Sequence, residues 1–187
     1  ASKFMEVLAS VIYEDEEASM YEAVAELVGN AALGTFFECI AHRKLTSDRS
    51  FELEPLYKKG TRGVSRTPIV LDLSDKHVVA LHSIDDIREL PANSYGLPAA
   101  PNFPLVDAIV QPNLLLQMTV SAGQHRGATE NLPLIRAQLQ ERDASKHKMV
   151  FVLPQKNMKT FLFQEDLRDI KQFVLCPDAT KKRKLSL

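Results

Sequence analysis

Cysteine is scarce in this chain of 187 residues, which has only Cys39 and Cys176. Cys39 lies in a helical pattern and Cys176 lies in an apolar, strand-like run. Neither belongs to a metal-ligand spacing such as C-x-x-C, and two isolated cysteines cannot build a multiply bridged framework. The sequence therefore argues against a disulfide scaffold and against a zinc ribbon.

Long hydrophobic runs and nucleotide-binding motifs are also missing. No apolar run approaches the ~20 residues that a membrane helix needs, and the segment from Ala1 to Ser10 lacks the basic start and apolar centre of a secretory signal. The chain has no P-loop and no dinucleotide fingerprint, which argues against nucleotide hydrolysis. We expect a soluble chain without membrane partners and, because it starts without Met, a piece of a longer protein.

Charge is unevenly distributed, although the formal net charge is only -1. From Ala1 to Asn30 there is a single base, Lys3, among seven acids, whereas basic residues outnumber acidic ones about two to one from Arg142 onward. An anionic partner would be steered to the second half, although ordinary solvated surface charge explains the imbalance equally well. The basic tail Lys181-Lys182-Arg183-Lys184 has the composition of a nuclear import signal or of a tail that touches nucleic acid, and such tetrads also arise by chance.

Hydrophobic periodicity predicts an α/β layer. Apolar residues recur at three- and four-residue spacing from Glu17 to Leu45, which indicates helix with a break at Gly29-Asn30 or at Gly34, and a second helix fits Ala128 to Glu141. Pro91, Pro98 and Pro101, with Pro104 directly after them, make Ser83 to Phe103 look like a long surface loop. The segments rich in β-formers are Phe51 to Leu56, Ile69 to Leu73, His77 to His82, Leu105 to Val110, Leu114 to Val120, Met149 to Leu153 and Gln172 to Cys176. This order predicts helices that cover a mixed sheet.

The most specific pattern is an acid in one apolar segment and a Gln-x-Thr in the next. Side chains alternate along a strand, so Gln117 and Thr119 point to the same side and can meet Asp107 across a hairpin. The resulting oxygen donors are the ligands that Mg²⁺ accepts, and such an ion can polarise a phosphate and activate water. A strand-end cap for Asp107 and backbone hydrogen bonds for Gln117 are the simpler structural explanations.

These residues resemble the restriction-endonuclease-like nucleases, whose core is αβββαβ with a mixed central sheet flanked by helices. More narrowly, the segments Gly34 to His42, Asn102 to Ala108 and Leu116 to Ser121, followed by His125, resemble the C-terminal region of crinkler effectors and of retrotransposon-hot-spot proteins. The resemblance runs from Gly34 to Pro177. It implies a secreted pathogen effector, from oomycetes or some other eukaryotes, that acts in the host nucleus on host DNA.

The resemblance also implies roles for individual residues. Asp107 and Gln117 would hold Mg²⁺ or Mn²⁺, Glu38 would complete the metal shell or bind the water, and His125 would act as the base. Active nucleases of this family usually carry a lysine where this chain has Thr119, and a neutral hydroxyl cannot replace an ammonium in electrostatic stabilisation. Candidates for the missing basic group are His125, Lys148 and Lys44.

The expected organisation is an acidic helical segment at 1–30, a nuclease-like domain at 31–177 and a basic tail at 178–187. Arg126, in a glycine-flanked turn, and Lys148 are the predicted contacts to the phosphate backbone, which give affinity without sequence information. The enzyme would be a metal-dependent DNase. The rival hypothesis is a catalytically inactive module of the same fold that binds a host nuclear protein and alters defence signalling or cell death.

Overall fold

The computed structural model describes residues 33–47, 50–60, 67–99, 103–123 and 129–178. Within these ranges, eight strands form one mixed sheet and three α-helices accompany it. None of the helices in this part of the chain has the length and apolar character that a membrane crossing requires.

The elements follow one another in the order helix, three strands, short helix, three strands, helix and two strands. Helix α1 occupies residues 33–45 of the described part. The others are β1 (Ser50–Leu56), β2 (Ile69–Asp72), β3 (His77–Leu81), α2 (Asp86–Glu89), β4 (Ser94–Pro98), β5 (Ala108–Val110), β6 (Leu114–Met118), α3 (Leu132–Gln138), β7 (Lys148–Val152) and β8 (Lys171–Leu175). Single 3-10 turns lie at Thr129–Asn131, Ala144–Lys146, Gln155–Asn157 and Glu165–Leu167.

The sheet has the strand order β2-β1-β8-β7-β6-β5-β4-β3. Strands β6, β7 and β8 run parallel, as do β3 and β4, and the remaining neighbours are antiparallel. Strand β1 joins β8 rather than β3, with Glu54 opposite Val174. Parallel neighbours need a crossover, and α3 supplies it between β6 and β7.

Burial explains which segments became central strands. All five residues of β6 are buried, and so are four of the five in β7 and in β8. Near-continuous apolar runs of this kind are typical of strands that are covered on both faces. In β1, by contrast, buried Phe51 and Leu53 alternate with partly exposed residues, because only one face of this strand packs against the core.

Two hydrophobic clusters lie on opposite faces of the sheet. On one face, α1 packs Phe37, Ala41 and Leu45 among side chains that include Leu116. On the other face, α3 contributes buried residues to a cluster that includes Leu115. Since side chains alternate along β6, adjacent residues of this strand reach different layers.

The predicted α/β class with a mixed sheet is confirmed, and each predicted strand segment contains a strand. The prediction of a surface loop from Ser83 to Phe103 is wrong, because this segment forms α2 and β4. The prolines there do not prevent pairing, since Pro98 is the last residue of β4 and Pro91 lies between the two elements. Packing, rather than the sequence pattern, explains why this segment is a strand, because Ser94 and Tyr95 are buried although the segment has no regular apolar alternation.

Three boundaries also differ from the prediction. Gly34 lies inside α1, so a helix break there is wrong, and the alternative at Gly29-Asn30 lies outside the described residues. The segment Leu105 to Val110 forms a strand only at its last three positions. The second helix is shorter than Ala128 to Glu141, because a 3-10 turn precedes it and Leu139 is already extended. The predicted acidic segment 1–30 and the tail from residue 179 lie outside the described residues.

Gly96 in β4 offers a direct test of the packing. A Cβ at this position would lie 2.8 Å from side-chain carbons of both Leu81 and Leu90 and 3.3 Å from the Ile109 carbonyl oxygen. Both leucines are buried, so they cannot move without disturbing the core. We expect Gly96→Ala to lower the free energy of unfolding by about 1–3 kcal/mol, measured by urea titration.

Gly34 provides the matched control for this substitution. A Cβ at Gly34 meets nothing within 4 Å, and alanine favours helix over glycine by roughly 0.5–1 kcal/mol. Gly34→Ala should therefore leave stability unchanged or raise it. Equal effects of the two substitutions would contradict the packing described around Gly96.

Candidate functional site

Asp107 lies in a bend immediately before β5, not inside a strand. Two residues earlier, Leu105 has a φ of 69°, and the Val106 N–H donates to the Pro104 carbonyl at 2.9 Å. A positive φ at the central residue, with a hydrogen bond between the residues on either side of it, defines the strained, classic type of γ-turn. The turn places Asp107 at the end of β6, beside the point where that strand leaves the sheet.

The Asp107 carboxylate accepts two short hydrogen bonds from β6. Its Oδ2 is 2.6 Å from the Gln117 Nε2 and 2.6 Å from the Met118 backbone nitrogen. The Asp107 N–H in turn donates to the Leu116 carbonyl at 2.9 Å. The predicted contact between Asp107 and Gln117 is therefore confirmed, and it ties the acid to the strand on both its backbone and its side chain.

The protonation of Asp107 is unusual. Burial, first, and the negative charge of Glu38, second, raise the pKa of this carboxyl from 3.8 to about 7. The hydrogen bonds from Met118 and Gln117 act in the opposite direction and only partly offset the rise. Carboxyl groups with such perturbed pKa values concentrate at functional sites, which marks Asp107 as a candidate for chemistry.

Glu38 reaches this region from α1, on the face opposite to the one covered by α3. Its side chain is 45% exposed, and one helical turn later His42 places its Nε2 3.8 Å from the Glu38 Oε1. The His42 Nδ1 lies 2.8 Å from the hydroxyl of Tyr95, which is fully buried in β4. The groups of the site thus come from α1, from β4 and from the region around the end of β6.

The pKa of the Tyr95 phenol is affected by the same negative charges. Its pKa is raised well above 10, by burial first and then by the charges of Asp107 and Glu38. The phenol consequently keeps its proton. Neither His42 nor Tyr95 was predicted from sequence. The spacing of four residues between Glu38 and His42 is a signal that could have indicated His42. Tyr95 lies in the segment that was predicted to be a loop.

Thr119, where the sequence resemblance leads one to expect a lysine, makes a structural contact. Its hydroxyl accepts a hydrogen bond from the Ser121 N–H at 3.1 Å, and only 8% of the residue is exposed. This hydrogen bond stabilises the backbone where the chain leaves β6. Thr119 brings no positive charge to Asp107.

The lysines considered as substitutes lie elsewhere. Lys148 begins β7 opposite Leu114, whereas Gln117 is opposite Phe151, so the lysine is roughly 10 Å further along the sheet. Lys44 is ion-paired with Asp178. On an α-helix Lys44 is about 200° around the axis from His42, so it does not share the face that carries the imidazole.

Several predicted residues lie outside the described part of the chain. His125 and Arg126 fall in 124–128, and the predicted import signal, Lys181 to Lys184, falls beyond residue 178. Their proposed roles remain predictions.

The donors around Asp107 fit a weakly held divalent cation. Among the described residues, no group of three or more His, Cys, Asp or Glu side chains is gathered for metal binding. Mg²⁺, however, is commonly held by one or two carboxylates, with waters and substrate phosphates as the other ligands. Asp107 and Glu38 are the two carboxylates whose charges interact here. The Gln117 amide nitrogen is bonded to Asp107, which leaves its oxygen as a further oxygen donor in this region.

Two open grooves occur away from this site. One, of about 620 Å³, includes Arg136 and His147 in its lining, and the other, of about 720 Å³, includes Tyr57 and Phe173. Neither lining contains Asp107. Neither groove is therefore part of the candidate site.

No protein-family model, curated protein or solved structure matches this chain.

Proposed function

We propose that this chain is the nuclease-like domain of a secreted pathogen effector, which binds DNA in the host nucleus and hydrolyses phosphodiester bonds with Mg²⁺ or Mn²⁺. One observation carries the proposal: the pKa of a buried carboxyl, Asp107, is raised by its burial and then by the charge of a second acid, Glu38, and no base among the described residues lowers it. Two like charges in a desolvated place repel each other. A divalent cation relieves that repulsion, whereas a purely structural aspartate gains nothing from it.

The order of elements supports a restriction-endonuclease-like core. Helix α1, the antiparallel strands β4 to β6, helix α3 and the parallel strand β7 occur in the order αβββαβ, with β1 to β3 and α2 inserted between α1 and β4. Glu38 lies on the helix, Asp107 precedes the second of the three strands and Gln117 lies on the third. These are the positions that the resemblance assigns to the metal-binding residues.

The chemistry of the chain's own groups follows from their environment. Near neutral pH the Asp107 carboxyl is close to half-ionised, so approach of a cation shifts it to the carboxylate by releasing its proton to solvent. The Gln117 amide and the Met118 N–H hold the carboxylate in one orientation. A bound Mg²⁺ or Mn²⁺ supplies polarisation of the phosphate and activation of the attacking water. Glu38, half-exposed, is free to accept a hydrogen bond from that water.

DNA would be held through its backbone. Lys148 and, from the sequence, Arg126 carry charges suited to phosphates. Such contacts do not read bases, so we expect cutting with little sequence preference.

The inactive binding module remains the second candidate, and Thr119 is the observation that favours it. A site without the usual lysine loses an electrostatic group that acts on the transition state. In this case the fold would bind a host nuclear protein, and metal would be irrelevant to its function.

Nicking of supercoiled plasmid separates the two candidates. The intact chain should cut with Mg²⁺ or Mn²⁺ and not with EDTA. Asp107→Asn should lower the rate about a hundredfold or more, because asparagine keeps the hydrogen bonds but loses the charge that binds the cation. Asp169→Asn, at an exposed aspartate, is the matched control and should cut like the intact chain. If the intact chain does not cut, or if both variants cut equally well, the nuclease proposal fails and a protein partner becomes the target.

A further inference from the structure

His42 carries a ring nitrogen whose hydrogen-bonding capacity is unused. Its Nε2 is buried and has no hydrogen-bond partner among the described residues. The Glu38 Oε1 lies 3.8 Å from this nitrogen, which is too long for a hydrogen bond. Buried polar atoms without partners are rare, and each one suggests a catalytic role, a water or an ion.

The rest of the imidazole is fixed. The Nδ1 is 2.8 Å from the Tyr95 hydroxyl, and the two rings meet edge to face at 88° with centroids 5.9 Å apart. Histidines that bind metals through one nitrogen generally use the other in a hydrogen bond that sets the tautomer and the ring orientation. Tyr95 is placed to provide that bond, with its oxygen accepting the Nδ1 proton.

The free nitrogen faces a region of negative charge. Glu38 lies directly beside it, and the charges of Asp107 and Glu38 both act on the Tyr95 hydroxyl to which His42 is bonded. The Glu38 carboxylate and the unpartnered imidazole nitrogen thus face each other, and the charge of Asp107 acts on the same region. An imidazole and a carboxylate one helical turn apart are suitably spaced to share an ion.

We propose that His42 Nε2 and the Glu38 carboxylate are ligands of the cation at this site, and that the cation is therefore a first-row transition ion such as Mn²⁺ rather than Mg²⁺. Imidazole nitrogen suits transition ions, whereas Mg²⁺ takes oxygen ligands. Two ligands at about 2.1 Å from one ion lie roughly 3 Å apart, so the half-exposed Glu38 carboxylate must move by about 1 Å. The inference concerns the site of the proposed nuclease, and it deepens that proposal by naming a ligand and a metal class.

Direct binding of Mn²⁺ and of Mg²⁺ to the intact chain tests the inference without any nucleic acid. In calorimetric titrations, His42→Gln should weaken Mn²⁺ binding at least tenfold and change Mg²⁺ binding less than twofold. His82→Gln, at an exposed histidine, is the control and should change neither. Equal Mn²⁺ affinity of the intact chain and His42→Gln, or no Mn²⁺ binding at millimolar concentration, would overturn the inference.

A second measurement on the intact chain covers the case in which His42→Gln does not fold. In nitrogen-correlated NMR spectra of the histidine rings, substoichiometric Mn²⁺ should broaden the signals of His42 before those of His77, His82 and His147. Uniform broadening of these rings would overturn the inference. The plasmid assay is independent of it: Mn²⁺ bound through His42 without cutting refutes only the nuclease, and Asp107-dependent cutting without His42-dependent binding refutes only the new ligand.

Discussion

Replacing Asp107 with asparagine is expected to stabilise the chain by about 2–4 kcal/mol at pH 8, in the absence of metal. The carboxyl has a pKa of about 7 in the folded chain, because of burial and then of the Glu38 charge, against 3.8 as its ordinary value. Ionising the Asp107 carboxyl therefore costs more free energy in the folded chain than in the unfolded chain. Asparagine can still accept the hydrogen bonds from Gln117 and Met118.

The direction of the pH dependence follows from these two pKa values. Below pH 3.8 the carboxyl is protonated in both states, so it carries no penalty. As the pH rises from 3.8 to about 7, the unfolded chain releases the proton first and the folded chain loses stability relative to it. Above about pH 7 the penalty is complete. The intact chain should thus lose stability over this window, whereas the asparagine variant should not.

Urea unfolding at several pH values between 4 and 8 would measure this effect, with Asp169→Asn as the control at an exposed aspartate. We expect the gap between the Asp107→Asn variant and the intact chain to open steadily with pH and to close again when Mn²⁺ is added. A gap that is absent at pH 8 would show that Asp107 is ionised without cost. It would also remove the repulsion on which the proposed function rests.

Truncation of Phe151 should give the largest loss of stability, about 3–5 kcal/mol for Phe151→Ala. This side chain is 1% exposed, lies on the central strand β7 and packs against Phe161 with ring centroids 4.9 Å apart. Alanine would leave a cavity between the sheet and the segment that follows β7, and the surrounding strands are held in register on both sides, so they cannot close it.

The matched control for this truncation is Val78→Ala. Val78 is 54% exposed on the edge strand β3, and the expected change is within about 0.5 kcal/mol. Thermal unfolding of both variants beside the intact chain would give the comparison. A loss below 1 kcal/mol for Phe151→Ala would mean that this layer of the core is loosely packed.

Sequence patterns predicted the elements whose own residues decide their structure. Strands β6, β7 and β8 are runs of apolar and β-branched residues, so their type follows from composition and their burial on both faces follows from run length. The meeting of Asp107 with Gln117 was predictable because both lie at the ends of adjacent segments joined by a short turn. Alternation along a strand is a local rule, and local rules can be applied to a single sequence.

The rest depended on contacts between distant parts of the chain. Strand β4 exists because its backbone pairs with β3 on one side and β5 on the other, although its proline, glycine and serine disfavour a strand. The role of Tyr95 follows from that pairing and could not be predicted without it. The spacing of four residues from Glu38 could have indicated His42, but its hydrogen bond to Tyr95, 53 residues away, could not be predicted.

The pairing of β1 with β8 has a consequence for how the chain folds during synthesis. Strand β1 leaves the ribosome well before its sheet neighbour β8, Lys171–Leu175, has been synthesised. Until then β1 and β2 can form only a two-stranded hairpin, which is marginally stable by itself. Closing this long-range pair carries a large loss of chain entropy, so we expect it to be a late and slow step. During that interval the nascent chain exposes the apolar face of β1, and we expect chaperones to bind this face.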